Sequence, residues 1–274
     1  MVEQETVGGL VVPGLGIGTH NRRGEEAFEL VGAALAEGYR HIDTSRWYGN
    51  EAEVGRAIER SVVPRDRIWL TTKLLHPKSP PMPDPVAEME ESLRRLRTDH
   101  VDLLLLHWPR PDLDLARILE TFVALRDAGM TRAIGVSNFP VALLTEALSM
   151  VPDLVTNQVE FHPLLDQRPM SALLRERGMF LTAYLPLARG AVLSEPVVLG
   201  IAEACGRTPA QVVLRWAVQQ AGVVAIPGAE TLEQMRENLG ALDMSLDESD
   251  MAAISALHRG HRVVDPDHGP VWDD

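Results

Sequence analysis

Cysteine and lysine are scarce in this chain of 274 residues: one Cys and 26 Lys plus Arg, of which only Lys73 and Lys78 are lysine. The lone thiol, Cys205, makes no internal disulfide, which excludes a disulfide scaffold. Long apolar runs are missing as well. The longest, Val101 to Leu106, carries Asp102 inside it and falls far short of the roughly 18 residues of a membrane span. The N-terminal segment lacks a basic start followed by an apolar stretch and a cleavage site, so the cytoplasm is the expected compartment. Positive charge is short too, with 39 Asp plus Glu giving a net charge of −13. An acidic surface repels phosphate backbones and anionic lipid head groups, and no local basic patch offsets it; neither nucleic acid nor membrane is an expected partner. What remains is a composition in the folded range, 45% hydrophobic and 24% charged, long enough for one large domain or two small ones.

Short β-branched or Leu-rich runs alternate with longer helical patterns along the whole chain, the sequence form of repeated βα units. Strands are expected at Leu15 to Gly18, Tyr39 to Asp43, Trp69 to Lys73, Val101 to His107, Ala133 to Ser137, Val155 to Glu160, Phe180 to Tyr184 and Val223 to Pro227. Amphipathic helices fill the gaps at Glu25 to Glu37, Asn50 to Ser61, Val86 to Leu96, Leu113 to Ala128, Val141 to Met150, Pro169 to Arg177, Pro209 to Gln219 and Leu232 to Leu239. Gly38, Gly129, Gly178 and Gly222 stand where helices should end. Eight such units at roughly 34 residues each match the βαβ repeat and predict an α/β fold, a closed (β/α)8 TIM barrel forming one domain over residues 1–274. The rival, a doubly wound open sheet, would carry a G-x-G-x-x-G turn after its first strand. Gly14, Gly16 and Gly18 space as G-x-G-x-G instead, which also suits close packing at the barrel opening. Ahead of strand one, Glu5 to Val12 with Gly8-Gly9 at its centre predicts a two-residue β-hairpin covering the barrel bottom. Ser249 to Leu257 predicts a further short helix, and His258 to Asp274 a polar tail.

In such a barrel chemistry belongs to the C-terminal strand ends, and here these are polar. Strand two ends at Asp43, three at Lys73, four at His107, five at Ser137 and Asn138, six at Gln158 and seven at Tyr184, with Tyr48 in the loop after Asp43. The set fits proton donation to an oxygen. A phenol is a poor acid near neutrality, but a neighbouring ammonium lowers its pKa. Lys73 would supply that ammonium, Asp43 would hold it charged, and His107 would point an N–H at the same oxygen. An acid aimed at a carbonyl that is becoming an alkoxide needs a hydride source, which no side chain is, so a nicotinamide or similar cofactor is implied. Ser137, Asn138 and Gln158 could hold a carboxamide, and Tyr184 offers a face for a flat ring. Each member has a plainer alternative: Asp43 with Lys73 as a buried ion pair, and His107 as a core histidine. His41 and Asp43 also share the H-x-D spacing of a metal-ligand pair, the basis of a hydrolase reading that lacks a third and fourth ligand.

At these residues the sequence resembles the aldo-keto reductase family over nearly its whole length. The segment from Gly38 through Asp43, Thr44, Ser45, Tyr48, Asn50 and Glu51 looks like the family's aspartate-tyrosine signature. Thr72-Lys73, Leu106-His107-Trp108-Pro109, Ile134-Gly135-Val136-Ser137-Asn138-Phe139, Asn157-Gln158-Val159-Glu160-Phe161-His162-Pro163 and Ile226-Pro227 through Glu237-Asn238 match in order. The Leu96-Arg97-Thr98-Asp99 stretch and the Pro270-Val271-Trp272-Asp273 ending look like those of bacterial 2,5-diketo-D-gluconate reductases, which also reduce small aldehydes. The resemblance implies NADPH-dependent reduction of an aldehyde or ketone. Tyr48 would be the general acid, Lys73 and Asp43 its tuning pair and His107 the orienting group. It implies a cofactor site at Gly18, Thr19, Asp43, Ser137, Asn138, Gln158, Tyr184, Leu185, Leu187, Gly228, Ala229, Gln234, Glu237 and Asn238, and a substrate pocket lined by His20, Trp47, Trp108 and Trp272. No metal is implied.

Two departures stand out. Leu185 replaces the serine that usually follows the stacking tyrosine. The usual Lys-Ser pair after Ile-Pro is Gly228-Ala229, and the arginine beyond it is Gln234. Those cations clasp the adenosine 2′-phosphate, each such bond contributing about 1.5 to 3 kcal/mol, unless Arg236 or Arg207 takes their place. Glu230 adds repulsion, so NADH is expected to be used unusually well. The short loop after His107 predicts an open pocket for small aldehydes, α-dicarbonyls or keto-sugars such as 2,5-diketo-D-gluconate, in a monomer. The competing reading is a cofactor-binding, redox-sensing regulatory subunit with incidental turnover, but no partner-binding extension precedes the hairpin.

Overall fold

Eight parallel strands follow one another around a closed sheet in the computed structural model, which describes residues 3–5, 9–76, 84–111, 114–165 and 167–273. The barrel strands are β3 (Ile17–Gly18), β4 (His41–Asp43), β5 (Trp69–Leu74), β6 (Val101–Leu106), β7 (Thr131–Ser137), β8 (Thr156–Glu160), β9 (Phe180–Tyr184) and β10 (Val223–Ala225). Each pairs in parallel with its sequence neighbour. The first and last strands close the ring: Gly16 N–H donates to Ala225 O at 2.8 Å, Ala225 N–H to Gly14 O at 2.9 Å and Gly18 N–H to Pro227 O at 3.0 Å. The barrel expected from the eight-unit period is therefore the fold. At Gly16 an added Cβ would stand 2.8 Å from the His41 ring, so the glycines serve close packing at the seam.

Around the sheet run α1 (Glu25–Glu37), α2 (Glu51–Arg60), α3 (Pro85–Leu96), α4 (Leu115–Asp127), α5 (Val141–Met150), α6 (Arg168–Glu176), α7 (Pro196–Cys205), α8 (Pro209–Val218), α9 (Leu232–Leu239) and α10 (Glu248–Ser255). Local chemistry fixes their ends. Helix α8 opens with a capping box, Thr208 bonding the Gln211 N–H and Gln211 reaching back, with Pro209 as first residue. Helix α1 stops at Gly38, whose φ of 110° an L side chain rarely adopts. Helix α7 is the element that the periodic pattern missed. Val197, Val198, Leu199 and Ile201 put apolar groups on nearly every side of it, so no polar face alternates with an apolar one to mark an amphipathic helix. The expected helix start at Leu113 lies outside the described residues, as does Lys78. No single helix among the described residues is long and apolar enough to cross a membrane.

The N-terminal end of the barrel is sealed by apolar groups. Val12, Trp69, Leu103, Leu105, Phe180 and Val224 form one buried cluster inside the sheet. Val12 comes from an antiparallel pair, β1 (Glu3–Glu5) with β2 (Val11–Pro13), so the hairpin does cover the bottom. Glu5 pairs with Val11, and the expected turn at Gly8-Gly9 involves Gly8, which lies outside the described residues. Asp102, the charge inside the apolar run, is buried and accepts from Arg65 Nη1 at 2.8 Å, Arg132 Nη1 at 2.9 Å and the Leu70 N–H at 3.0 Å.

Candidate active site

Side chains two apart on a strand share a face, and along β5 and β6 that face changes character from bottom to top. Trp69 gives way to Thr71 and then Lys73; Leu103 and Leu105 give way to His107. Lys73 is fully buried, and its ammonium has three acceptors: Asp43 Oδ1 at 2.5 Å, Thr44 O at 2.8 Å and the Tyr48 hydroxyl at 3.5 Å. The other Asp43 oxygen accepts from Gln158 Nε2 at 2.8 Å. With Asp43 so engaged and His41 Nε2 on Thr71 Oγ1 at 3.3 Å, the H-x-D pair is part of the barrel interior and not a ligand set. A single turn after β4 returns Tyr48 to this cluster. It is a 3-10 turn, Arg46–Tyr48, capped by Ser45 Oγ on the Trp47 N–H and closed by Gly49 at φ 69°.

Ser45 does more than cap. Its Oγ lies 3.0 Å from His107 Nδ1 and 3.3 Å from Lys73 O. A serine hydroxyl has one proton, so whichever partner receives it decides which nitrogen of His107 carries the other. Tyr48 and His107 meet edge to face, ring centroids 5.8 Å apart.

Burial governs the ionisation here. It pulls the Lys73 ammonium below its ordinary value, with Asp43 opposing. It pulls His107 well below the ordinary imidazole range, helped by Lys73, so the ring is neutral near pH 7. Tyr48 moves against the sequence expectation: burial first, then the Asp43 carboxylate, push the phenol well above its ordinary value. The reason is geometric. The ammonium meets Asp43 and Thr44 O closely and Tyr48 last, so its charge is largely neutralised before the phenol feels it.

Aromatic rings wall the mouth. His20 stands edge-on to Tyr48, centroids 4.9 Å apart, and Trp47 stacks on His76 at 4.4 Å. His268 of the tail packs against Trp108 at 5.2 Å, and Trp272 against Trp108 at 6.2 Å. The tail is fastened by Glu160 at the end of β8, a buried carboxylate accepting from the Val263 N–H at 2.6 Å, the Val264 N–H at 2.7 Å and His162 Nε2 at 2.9 Å. A cavity of about 140 Å³ opens behind Trp272, lined by Phe139, Met170 and Arg262 among others; none of Asp43, Tyr48, Lys73 and His107 borders it.

On the far side of the mouth, Ser137, Asn138 and Tyr184 form one network. Ser137 Oγ donates to Gln158 O at 2.8 Å, Asn138 Nδ2 to Ser137 Oγ at 3.1 Å and to His107 O at 3.0 Å, and the Tyr184 hydroxyl to Asn138 Oδ1 at 2.7 Å. Thr19, after β3, is fully buried with its Oγ1 unpartnered, while its N–H donates to Asp43 O at 3.0 Å. An orphaned hydroxyl at that place fits a polar group arriving from outside. Leu185 and Leu187 line the irregular segment after β9, where Leu185 has a φ of 48°. Beyond β10, Gly228 is exposed and Ala229 buried. Asn238 Nδ2 donates to Gly228 O at 3.4 Å, Gln211 Nε2 to Glu237 O at 3.1 Å, and Gln234 Oε1 accepts the Glu230 N–H at 2.6 Å. Neither expected substitute cation is directed here: Arg236 pairs with Glu37 at 2.8 Å and Arg207 bonds Asp243 O at 3.2 Å. Ser45, His76, His268 and Glu160 were not singled out from the sequence. Ser45 sits inside the recognised segment from Asp43 to Tyr48 and Glu160 inside the segment from Asn157 to Pro163, the signals available; His76 and His268 are joined to the site only by folding.

Known proteins share this sequence pattern and fold. The aldo/keto reductase family profile matches residues 14–259. Methylglyoxal reductase DkgB of Yersinia pestis is 39% identical over 267 residues, 96% of this chain and 99% of that protein. An aldo-keto reductase of Mycolicibacterium smegmatis is 40% identical over 92% of each. A crystal structure reported as 2,5-diketo-D-gluconic acid reductase B superposes with a TM-score of 0.95 at 41% identity, covering 100% of this chain and 98% of that one. A mutant of Gox0644 in complex with NADPH gives a TM-score of 0.89 at 33% identity over 98% of both chains. With the barrel, the charged strand ends and these relatives in agreement, the chain belongs to the aldo/keto reductase family of oxidoreductases.

Proposed function

We propose that this chain reduces small aldehydes, α-dicarbonyls or keto-sugars such as 2,5-diketo-D-gluconate to the alcohol, with Tyr48 as general acid, drawing on NADPH and, unusually for the family, on NADH as well. The carrying observation is the buried chain from Asp43 through Lys73 to the Tyr48 hydroxyl. The bound reduced nicotinamide supplies the hydride that reaches the carbonyl carbon. Gly18, Thr19, Asp43, Ser137, Asn138, Gln158, Tyr184, Leu185 and Leu187 would hold its nicotinamide half, and Gly228, Ala229, Gln234, Glu237 and Asn238 the adenosine half.

The chain's own residues handle the oxygen. Tyr48, protonated across the neutral range, gives its proton to the carbonyl oxygen as negative charge develops there. Lys73 stabilises the phenolate left behind, at a position fixed by Asp43 and Thr44 O. Neutral His107, in the tautomer in which Ser45 gives its proton to Nδ1, would present Nε2–H to the same oxygen and orient the substrate. His20, Trp47, Trp108 and Trp272, joined by His76 and His268, give a flat-walled mouth suited to small planar carbonyls. The same reading takes residues 1–274 as one cytoplasmic, monomeric domain.

The test is a carbonyl panel run with each reduced cofactor, with Tyr48→Phe alongside. Turnover of methylglyoxal and 2,5-diketo-D-gluconate is expected, and Tyr48→Phe should lower kcat by about 10²- to 10⁴-fold while the dissociation constant of the cofactor moves less than twofold. Near-normal turnover in Tyr48→Phe refutes the assigned acid. A hundredfold tighter binding of NADPH than NADH refutes the NADH expectation.

A further inference from the structure

Arg22, in the turn after β3, reaches across the barrel seam to the segment after β10. Its Nη2 donates to Ala229 O at 3.2 Å and lies 3.7 Å from Glu230 Oε1, a contact between positions 207 apart in the chain. The turn that carries it is fixed. The Arg22 N–H donates to Thr19 O at 3.1 Å, and the buried Asn50 side chain donates to both Thr19 O and Arg22 O at 2.9 Å. In barrels of this type, phosphates settle where the loops after the seventh and eighth strands meet the start of the next helix. Here those strands are β9 and β10, and α9 begins next to the contact, with Thr231 capping it. A guanidinium therefore stands on the side of the mouth where the Lys-Ser pair is replaced by Gly228-Ala229, supplied from the other end of the sequence. It does not stand there alone, because the Glu230 carboxylate faces it.

We propose that the Arg22–Glu230 pair sets the choice between the two nicotinamide cofactors, resting on the reading that a nicotinamide dinucleotide lies with its adenosine end at Gly228 to Glu230. A carboxylate accepts a hydrogen bond from a ribose 2′-hydroxyl and repels a 2′-phosphate. With Glu230 charged, the pair presents no net positive charge to the ribose and an NADH-type ribose is accommodated. With Glu230 replaced by an uncharged side chain, the same guanidinium is released to bond a 2′-phosphate. As an exposed ion pair its contribution to stability is small; its importance is its place.

Dissociation constants of NADH and NADPH, read by quenching of tryptophan fluorescence on the full-length chain, test this in a cycle of Glu230→Gln, Arg22→Ala and the double variant. Glu230→Gln is nearly isosteric and leaves the backbone bond to Gln234 in place. The expected result is a shift of the NADPH-to-NADH affinity ratio by about tenfold toward NADPH in Glu230→Gln, absent when Arg22 is also removed. A ratio unmoved within twofold, or moved equally with and without Arg22, overturns the proposal. If the wild type already binds NADPH a hundredfold better and Glu230→Gln adds a further Arg22-dependent gain, the NADH reading fails and the pair stands. Binding of neither cofactor overturns both.

Discussion

At the ends of β4, β5 and β6 the charged groups are buried and answer one another: Lys73 is 0% exposed and Asp43 2%, in contact at 2.5 Å. Across the mouth, at the end of β10, the polar groups lie on the surface, and Glu230 is 77% exposed where it meets Arg22. On the first side no group can change without stranding a neighbour in a dry interior. On the second, exposed positions such as Gly228 and Glu230 leave water to replace whatever is lost. The proposed proton delivery is thus held by packing, and the proposed cofactor discrimination is open to change.

The strongest way to break that contrast is Lys73→Met. It leaves Asp43 as an unpaired buried charge, so we expect a loss of about 3–5 kcal/mol in urea denaturation together with loss of turnover. Unchanged stability would mean that the buried side is as permissive as the exposed one. Next in size is the effect of acid. His41 is held at about 4 in the folded chain, below its ordinary 6.5, chiefly by burial. The unfolded chain therefore takes up the proton first. Stability is complete above pH 6.5 and falls by about 3 kcal/mol as pH drops to 4, with His107 adding in the same direction. Denaturation midpoints between pH 7 and 4 check it, and a flat profile contradicts it. Ser45→Ala sharpens the picture at smaller scale. Removing the hydroxyl that faces His107 should lower kcat/KM about five- to tenfold, a change of about 1 kcal/mol, and alter the ring nitrogen shifts of His107 in ¹⁵N NMR. Smallest is the alkaline limb: with Tyr48 pushed well above its ordinary value, kcat for reduction should vary less than twofold between pH 7 and 9. A midpoint near pH 8 would restore the lowered phenol.

The strands and the polar residues at their ends were legible because short β-branched or Leu-rich runs stop at residue types that an apolar barrel interior excludes. The phenol moves the other way because burial and the Asp43 carboxylate oppose the ammonium, and a sequence shows only that an ammonium is near. Arg22 and the fastening of the tail by Glu160 were silent for another reason. The partners are 207 residues away in one case and 103 and 104 in the other. Helix α7 was silent because a helix apolar on nearly every side shows no amphipathic period.

The seam between β3 and β10 has a kinetic side. It joins the first and last barrel strands, one of two residues and the other of three, so the longest loop in the molecule is closed by its shortest ladder. Loop closure of that span comes late in folding, and a short ladder is the first to part in native-state fluctuations. Arg22 spans the same gap from outside, beside the backbone that makes the closure. Hydrogen exchange at Gly16, Gly18 and Ala225 would then report barrel opening ahead of any other strand, making the oldest contact in sequence terms the youngest in time.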